Sequence, residues 1–314
     1  MKKVISLFSG VGGIDLPFEE NGFKIVFAND FDEKATITYN ANFENDAVLG
    51  DITLMEPKII PDADCLIGGF PCQPFSVAGY RKGFEDTRGT LFFNVANILK
   101  EKKPSIILLE NVKNLVSHDN GNTFQVILAT LKELGYYVKH AVLNASEYGN
   151  MPQNRERIYI VGFLNKEHYK NFDFPEPLPL TKTIFDVIDF EIKVDEKYYY
   201  TKNKYPHIMD EFKKINPQIG VVYQWRRVYV RENKSGVVPC LTANMGTGGH
   251  NVPLVYTKHG LRKLTPRECF NVQGFPKDFV LPNIADSALY KQAGNSVCVG
   301  VIDRIVKNIV EAIN

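Results

Sequence analysis

Five short apolar runs rich in β-branched residues, VISLF (4–8), KIVFA (24–28), DCLIGG (64–69), SIILLE (105–110) and YVKHAVL (137–143), punctuate the first half of the chain. Between them lie GIDLPFEENG, EKATITYNANF, LFFNVANILKEKK and NTFQVILATLKELG, whose apolar residues recur at helical spacing. Strand and helix in alternation leave little choice of architecture: consecutive strands joined through helices run parallel, and the helices cover both faces of the sheet. The expected class is α/β, a Rossmann-like domain with a mostly parallel sheet.

The rhythm stops at FPEPLPL (174–180), which has three prolines in seven residues. Beyond it the chain becomes polar, aromatic and glycine-containing, above all in NMGTGGHN (244–251). SVCVGVIDRIVKNIVEAIN (296–314) then returns to an amphipathic helix, expected to pack back onto the first sheet. We therefore expect a first domain of residues 1–176 with 285–314, and a smaller mixed domain over 177–284. A length of 314 residues allows for both.

Composition excludes little: 44% hydrophobic and 23% charged residues are ordinary for a globular protein. No apolar run approaches the roughly 18 residues that span a bilayer, and MKKVISLFSG runs into glycines rather than a cleavage site, so a cytosolic protein is expected. Cys65, Cys72, Cys240, Cys269 and Cys298 are odd in number and widely spaced, which indicates neither a disulfide framework nor a metal site. Residues 176–285 carry 16 Lys and Arg against 11 Asp and Glu, a net of +5, which leaves −4 for the rest. The excess concentrates in WRRVYVRENK (225–234), where cations interleave with aromatics in a pattern that suits a phosphate backbone.

Three features at successive strand ends point to an adenosine-containing cofactor. FSGVGG (8–13) follows the first strand, its glycines allowing a tight turn and close approach of a ligand. Asn29-Asp30 ends the second strand about 20 residues on, where such folds place a carboxylate on the ribose hydroxyls. GDI (50–52) offers Asp51 to an adenine amino group. The loop reads G-x-G-G and lacks the third glycine of the G-x-G-x-x-G fingerprint, which weakens a pyrophosphate reading and favours a sulfonium cofactor that has no phosphate to seat.

The chemistry gathers at the next strand ends. Cys72 starts a long glycine-punctuated loop, PCQPFSVAGYRKGFEDTRG (71–89), and is a candidate nucleophile once its thiol is activated. IILL delivers Glu110 to a strand end, costly unless the carboxylate is paired or at work. QNRERIYIVGF (153–163) places Gln153, Arg155 and Arg157 at i, i+2 and i+4, a spacing that on a strand aligns all three on one face, with two guanidiniums side by side for an anionic or carbonyl-bearing substrate.

FSGVGG, Asn29-Asp30, GDI, GFPCQPFS (69–76), ENV (110–112), QNRER (153–157), RKLTPRECFNVQGFP (262–276) and GNSV (294–297) occur in the order of the motifs of the DNA (cytosine-5)-methyltransferases, and the chain resembles the bacterial restriction-modification type along nearly its whole length. The resemblance implies methyl transfer from S-adenosylmethionine, giving S-adenosylhomocysteine, to C5 of a flipped-out cytosine, without a metal. Cys72 would attack C6, Glu110 would hydrogen-bond N3 and the exocyclic amine, and Arg155 and Arg157 would hold the base or its phosphate, Arg157 near O2. Phe8, Gly10, Gly12, Asp30, Phe31, Asp51, Ile52, Pro71, Leu91, Asn295 and Ser296 would surround the cofactor. Gln73, Ser76, Arg88, Gln153, Arg226, Arg227, Arg231, Leu241 and Thr242 would meet double-stranded DNA, the region of roughly 180–257 standing where that family reads its target. Implied too are a bacterial cytoplasm, at the nucleoid through its DNA, and a cognate restriction endonuclease as a genetic rather than physical partner; a monomer is the default expectation. Three positions depart from the usual pattern: Asp30 replaces a longer glutamate, Phe31 a tryptophan, and Cys240 the threonine of a Thr-Leu pair.

Three other readings compete. A tRNA cytosine-5 methyltransferase of the same fold would carry a CFT stretch in its recognition region, whereas Cys269-Phe270-Asn271 lies inside RECFNVQGF. An NAD-dependent oxidoreductase would explain the first three strands but not Cys72, Glu110 and the arginines. A catalytically silent DNA-binding module would have no use for Pro71-Cys72-Gln73. With no regulatory extension ahead of the first strand, a targeted eukaryotic maintenance enzyme is not expected.

Overall fold

A computed structural model describes residues 1–71, 91–247 and 251–314. The described chain falls into two compact units, one of residues 1–143, 156–176 and 302–314, the other of 144–155 and 177–301. The first is built on a seven-stranded sheet in the order β3-β2-β1-β4-β5-β8-β6. These strands are β1 Lys3–Leu7, β2 Lys24–Asp30, β3 Val48–Leu49, β4 Cys65–Gly69, β5 Ile106–Val112, β6 Tyr137–Asn144 and β8 Glu156–Phe163; the short β7, Gln153–Asn154, belongs to the other unit. Neighbours from β3 to β5 pair in parallel, and β8 pairs antiparallel with β5.

The five apolar runs form β1, β2, β4, β5 and β6. Ile106 to Leu109 are buried, as expected of strands covered on both faces. The four amphipathic stretches form helices α1 (Asp15–Glu20) and α2 (Glu33–Asn40) and the helices Leu91–Lys102 and Asn122–Glu133. The Leu91–Lys102 and Asn122–Glu133 helices add Phe92, Val95, Leu99, Phe124, Ile127 and Leu131 to a core shared with Ile5, Leu7, Leu66, Ile107 and Ile160. Because β1 lies between β2 and β4, the strand order reverses there, and ligands of such sheets bind at this switch point beyond the strands' carboxyl ends. Residues 302–314, the later part of the helix Val299–Ile313, belong to this unit and are anchored by Asn21 Nδ2 to Asp303 Oδ1 at 3.1 Å and Asn308 Nδ2 to the Asp173 carbonyl at 2.8 Å.

The second unit holds an antiparallel sheet, β10-β9-β12-β13, made of β9 Val222–Trp225, β10 Val230–Glu232, β12 Leu254–Thr257 and β13 Gly260–Lys263. Tyr200, Ile208, Phe212, Tyr223, Leu254 and Leu261 form its core. The units part between Glu176 and Pro177, within the proline-rich stretch, but on the C-terminal side they part after Val301 rather than at 284/285. The reason is packing: helix Asp286–Asn295 lies against helix Pro266–Gln273 and the turn Ala243–Thr247. Residues 144–155 join this unit through the pairing of β7 with β11, Val238–Pro239.

Candidate active site

The loop leaving β1 turns on left-handed backbone at Phe8 (φ 53°), Gly10 (56°) and Gly12 (83°). Glycine adopts such angles freely and phenylalanine does not, so Phe8 marks a constrained place. Neighbouring bonds supply the constraint: the amide of Ser9 donates to the Asn29 carbonyl at 3.0 Å, that of Gly12 to the Ser9 carbonyl at 2.8 Å, and that of Gly10 to Asp30 Oδ2 at 2.8 Å. The two glycines serve different ends. Among the described residues, a Cβ at Gly10 would meet nothing within 4 Å, while one at Gly12 would lie 2.1 Å from the Phe43 ring. One side of the loop is open and the other is packed.

Asp30 Oδ1 accepts from the Asp32 amide at 2.8 Å, so each carboxylate oxygen braces one turn and keeps a further lone pair for a hydroxyl. Burial pushes this carboxyl above its ordinary range, opposed by those two amides. The Asn29 side chain donates to the carbonyls of Val48 at 2.8 Å and Gly50 at 2.9 Å, tying the end of β2 to the turn that presents Asp51. Asp51 Oδ1 accepts from the Thr53 amide at 2.9 Å, which lowers its carboxyl. Ile52 is buried beside it and Phe31 is 70% exposed. Pro71 is exposed and Leu91 is half-buried against the core.

These residues suit an adenosyl ligand: an open glycine face, a carboxylate with spare acceptor capacity and an uncovered aromatic ring. Ser9 Oγ, buried in the loop, has no hydrogen-bond partner among the described residues, a vacancy that a ligand's polar atom would fill. In the second unit Asn295 is exposed at the end of its helix, and the Ser296 hydroxyl is likewise buried without a partner among the described residues.

Glu110 sits on β5, 8% exposed, with Oε1 3.1 Å from Arg157 Nε on β8. The antiparallel register sets Glu110 opposite Tyr159 and Val112 opposite Arg157, so the guanidinium reaches diagonally to the carboxylate. Across β4, Gly69 faces Glu110, and a Cβ there would lie 3.1 Å from Glu110 Oε2. Asn111 Nδ2 donates to the Phe70 carbonyl at 2.7 Å. Gly69 and Asn111 were not among the sequence candidates; their signal was adjacency to the GFPC and ENV stretches. Cys72, Gln73, Ser76 and Arg88 lie outside the described residues.

The expectation that Gln153, Arg155 and Arg157 line one strand face is corrected. β7 ends at Asn154 and β8 begins at Glu156, so Arg155 falls between strands and packs in the second unit. Its guanidinium is buried, donating to the carbonyls of Leu241 at 2.7 Å, Gly294 at 3.2 Å and Ser296, with Cys240 Sγ at 3.5 Å. Gln153 is equally enclosed: Nε2 donates to the Val272 carbonyl at 3.2 Å and Gln273 Oε1 at 3.0 Å, and Oε1 accepts from the Leu241 amide at 3.2 Å. With Leu241 buried as well, neither Gln153, Arg155 nor Leu241 offers a side chain to DNA here. Thr242 is exposed, and so are Arg226, Arg227 and Arg231. The first two form the turn of the β9–β10 hairpin, closed by the Arg226 amide to the Tyr229 carbonyl at 2.9 Å, with Arg227 left-handed at φ 66°. Arg231 pairs with Gln224 across the hairpin.

Of the four cysteines among the described residues, Cys65, Cys269 and Cys298 are buried, and burial raises all three thiols. A raised thiol is a poor nucleophile at neutral pH. Cys269 and Phe270 are core residues of the helix Pro266–Gln273.

Residues 2–311 match the family model of C-5 cytosine-specific DNA methylases. The chain belongs to that family. It is 59% identical over 314 residues to the type II methyltransferase M.Bsp6I of Bacillus sp. strain RFL6, covering 98% of both chains. With M.HhaI of Haemophilus parahaemolyticus it shares 41% identity over 328 residues, covering 99% of this chain and 95% of that one. A crystal structure of a Spodoptera frugiperda DNMT2 mutant superposes with a TM-score of 0.75 at 24% identity, covering 99% and 100% of the two chains, and S. pombe Dnmt2 with 0.74 at 21%, covering both chains fully. At those identities the likeness is one of fold. Family membership makes the chain a DNA cytosine-5 methyltransferase, with S-adenosylmethionine as methyl donor and duplex DNA as substrate. Among the described residues, no helix is long and apolar enough to cross a membrane, and no His, Cys, Asp and Glu side chains gather as a metal-binding group.

Proposed function

We propose that the chain methylates C5 of a cytosine flipped out of duplex DNA, with Cys72 as covalent nucleophile and Glu110 as the group that holds the base. The observation that carries this reading is the buried Glu110–Arg157 pair at 3.1 Å, at the carboxyl end of β5 and beside the strand that leads into Pro71-Cys72. Cytosine C5 is a weak nucleophile until the ring loses its aromaticity. The Cys72 thiolate forms a bond to C6, and the C5–C6 π pair becomes that of an enamine. Glu110 hydrogen-bonds N3, where the displaced charge gathers, and accepts from the exocyclic amine. Arg157 keeps that carboxyl group in place and lies near O2. S-adenosylmethionine, when bound, supplies an electrophilic methyl group. Once C5 is substituted, its proton leaves to water, and the electron pair expels Cys72 as thiolate.

Phe8, Gly10, Asp30, Phe31, Asp51, Ile52, Pro71 and Leu91, with Asn295 and Ser296, are assigned to the cofactor. Arg226, Arg227, Arg231 and Thr242 are assigned to DNA together with Gln73, Ser76 and Arg88, the arginines at phosphates or guanines. Gln153 and Arg155 take a supporting role, holding Leu241 and the carbonyls of residues 294 and 296. Catalysis is assigned to 1–176 with 285–314, target recognition to 177–284. The type II relatives favour protection of host DNA beside a cognate endonuclease, by a monomer in a bacterial cytoplasm. Bisulfite sequencing of a methylation-deficient bacterium expressing the chain should show protected cytosines in one short motif, none with Cys72→Ser, and a covalent adduct of the purified protein with 5-fluorocytosine DNA. Soluble, cofactor-binding protein with no protected DNA would turn the test to RNA.

A further inference from the structure

Beneath the cofactor loop runs a buried polar chain that the proposed chemistry does not use. Asp15, on α1, is fully buried. Its Oδ2 accepts from Ser6 Oγ on β1 at 3.0 Å and its Oδ1 from the Tyr39 hydroxyl on α2 at 2.9 Å. One carboxyl thus ties together the strand before the glycine loop, the helix after it and the helix after Asp30. The Tyr39 ring continues the chain, stacked on Phe43 with centroids 4.2 Å apart and planes at 19°. Phe43 in turn occupies the space a side chain at Gly12 would need. A buried carboxyl is a poor source of stability, since its desolvation cost commonly matches what its hydrogen bonds return. Its directional bonds do fix geometry.

We propose that Asp15 and Tyr39 are positioning residues for cofactor binding, setting through the Phe43 ring the place of Gly12 and hence of the open loop face at Gly10. This rests on the reading that the loop seats S-adenosylmethionine. Facing Asp15 are Ser6 from β1, Tyr39 from α2 and Glu19 from its own helix. Burial pushes the Asp15 carboxyl up to about 7, and burial with the nearby Asp15 raises the Tyr39 phenol. The ionised carboxylate accepts from both hydroxyls; once protonated it donates from one oxygen, so the bond to one hydroxyl reverses and that hydroxyl's own proton must turn elsewhere.

The test measures S-adenosylhomocysteine binding by calorimetry between pH 6 and 8, and steady-state methylation, for the wild type, Tyr39→Phe and Asp15→Asn. Tyr39→Phe keeps the stack on Phe43 and removes only the hydroxyl. It should weaken binding and raise the cofactor KM about fivefold, on the order of one lost hydrogen bond, with kcat at saturating cofactor within about twofold. Wild-type affinity should fall as pH drops from 8 to 6, and Asp15→Asn should flatten that dependence. A merely structural role would lower the melting temperature and leave affinity and its pH profile unchanged, and that result overturns the inference. If Asp15→Asn does not fold, Tyr39→Phe decides alone. A wild type that fails to bind S-adenosylhomocysteine overturns the cofactor reading itself, whatever the variants do.

Discussion

Arg155 and Arg157 are separated by one residue, yet the regions around them differ in what receives the guanidinium. Arg157, in the first unit, meets a carboxylate, Glu110, at a strand end. Arg155, in the second, is spent on main-chain carbonyls at Leu241, Gly294 and Ser296. A carboxylate so paired keeps acceptor capacity that a substrate can use, whereas a guanidinium shared among carbonyls has become part of the backbone scaffold. The difference teaches that an arginine's chemistry is set by its partners rather than by the motif that carries it.

The comparison can be broken most directly through activity. Glu110→Gln and Arg157→Ala should cut kcat by about a hundredfold or more, the usual scale for losing a group that stabilises developing charge; Arg155→Ala should act instead by destabilising the fold by about 3 kcal/mol, since it strands buried carbonyls. Thermal melts beside single-turnover rates check both, and a stable but inactive Arg155→Ala would erase the distinction.

Asp15 sharpens it from another side, as a buried carboxyl whose hydrogen-bond partners among the described residues, Ser6 and Tyr39, are uncharged. Its carboxyl, raised from 3.8 to about 7 by burial, holds its proton in the folded state at pH values where the unfolded chain has lost it. The stability this confers is complete below the unfolded value and is lost as pH rises through 7, a swing of up to about 4 kcal/mol at roughly 1.4 kcal/mol per tenfold change in proton affinity. Urea titrations from pH 4 to 8 should show this slope in the wild type and its absence in Asp15→Asn. The smallest effect is expected at the hairpin turn: Arg226→Ala and Arg227→Ala should each weaken DNA binding by about 1 kcal/mol and reduce the salt slope by about 1. Unchanged slopes would remove the turn from the phosphate backbone.

The apolar runs and amphipathic stretches were legible because burial on both sheet faces demands a local pattern, and the strands and helices of the first unit followed it. The direction of β8 was not legible, since an apolar run reads the same parallel or antiparallel to its neighbour. Glu110 could be picked out because a carboxylate ending an apolar strand needs a reason. Its partner was in the candidate list for the wrong geometry: alternation along 153–157 assumed one continuous strand, and the break at Arg155 depends on β7 pairing with β11, some eighty residues away.

By itself the sequence determined the class of fold, the loop after the first strand, the carboxylates at the strand ends and the basic stretch at 225–234, because each follows from short-range periodicity, turn chemistry or local charge. Only the tertiary structure decided that Arg157 and not Arg155 meets Glu110, that Gly10 is open while Gly12 is packed on Phe43, and that Asp15 closes a buried chain with Ser6 and Tyr39. Those outcomes depend on which segments are brought together and which side chains lose water, and no local pattern along the chain encodes either.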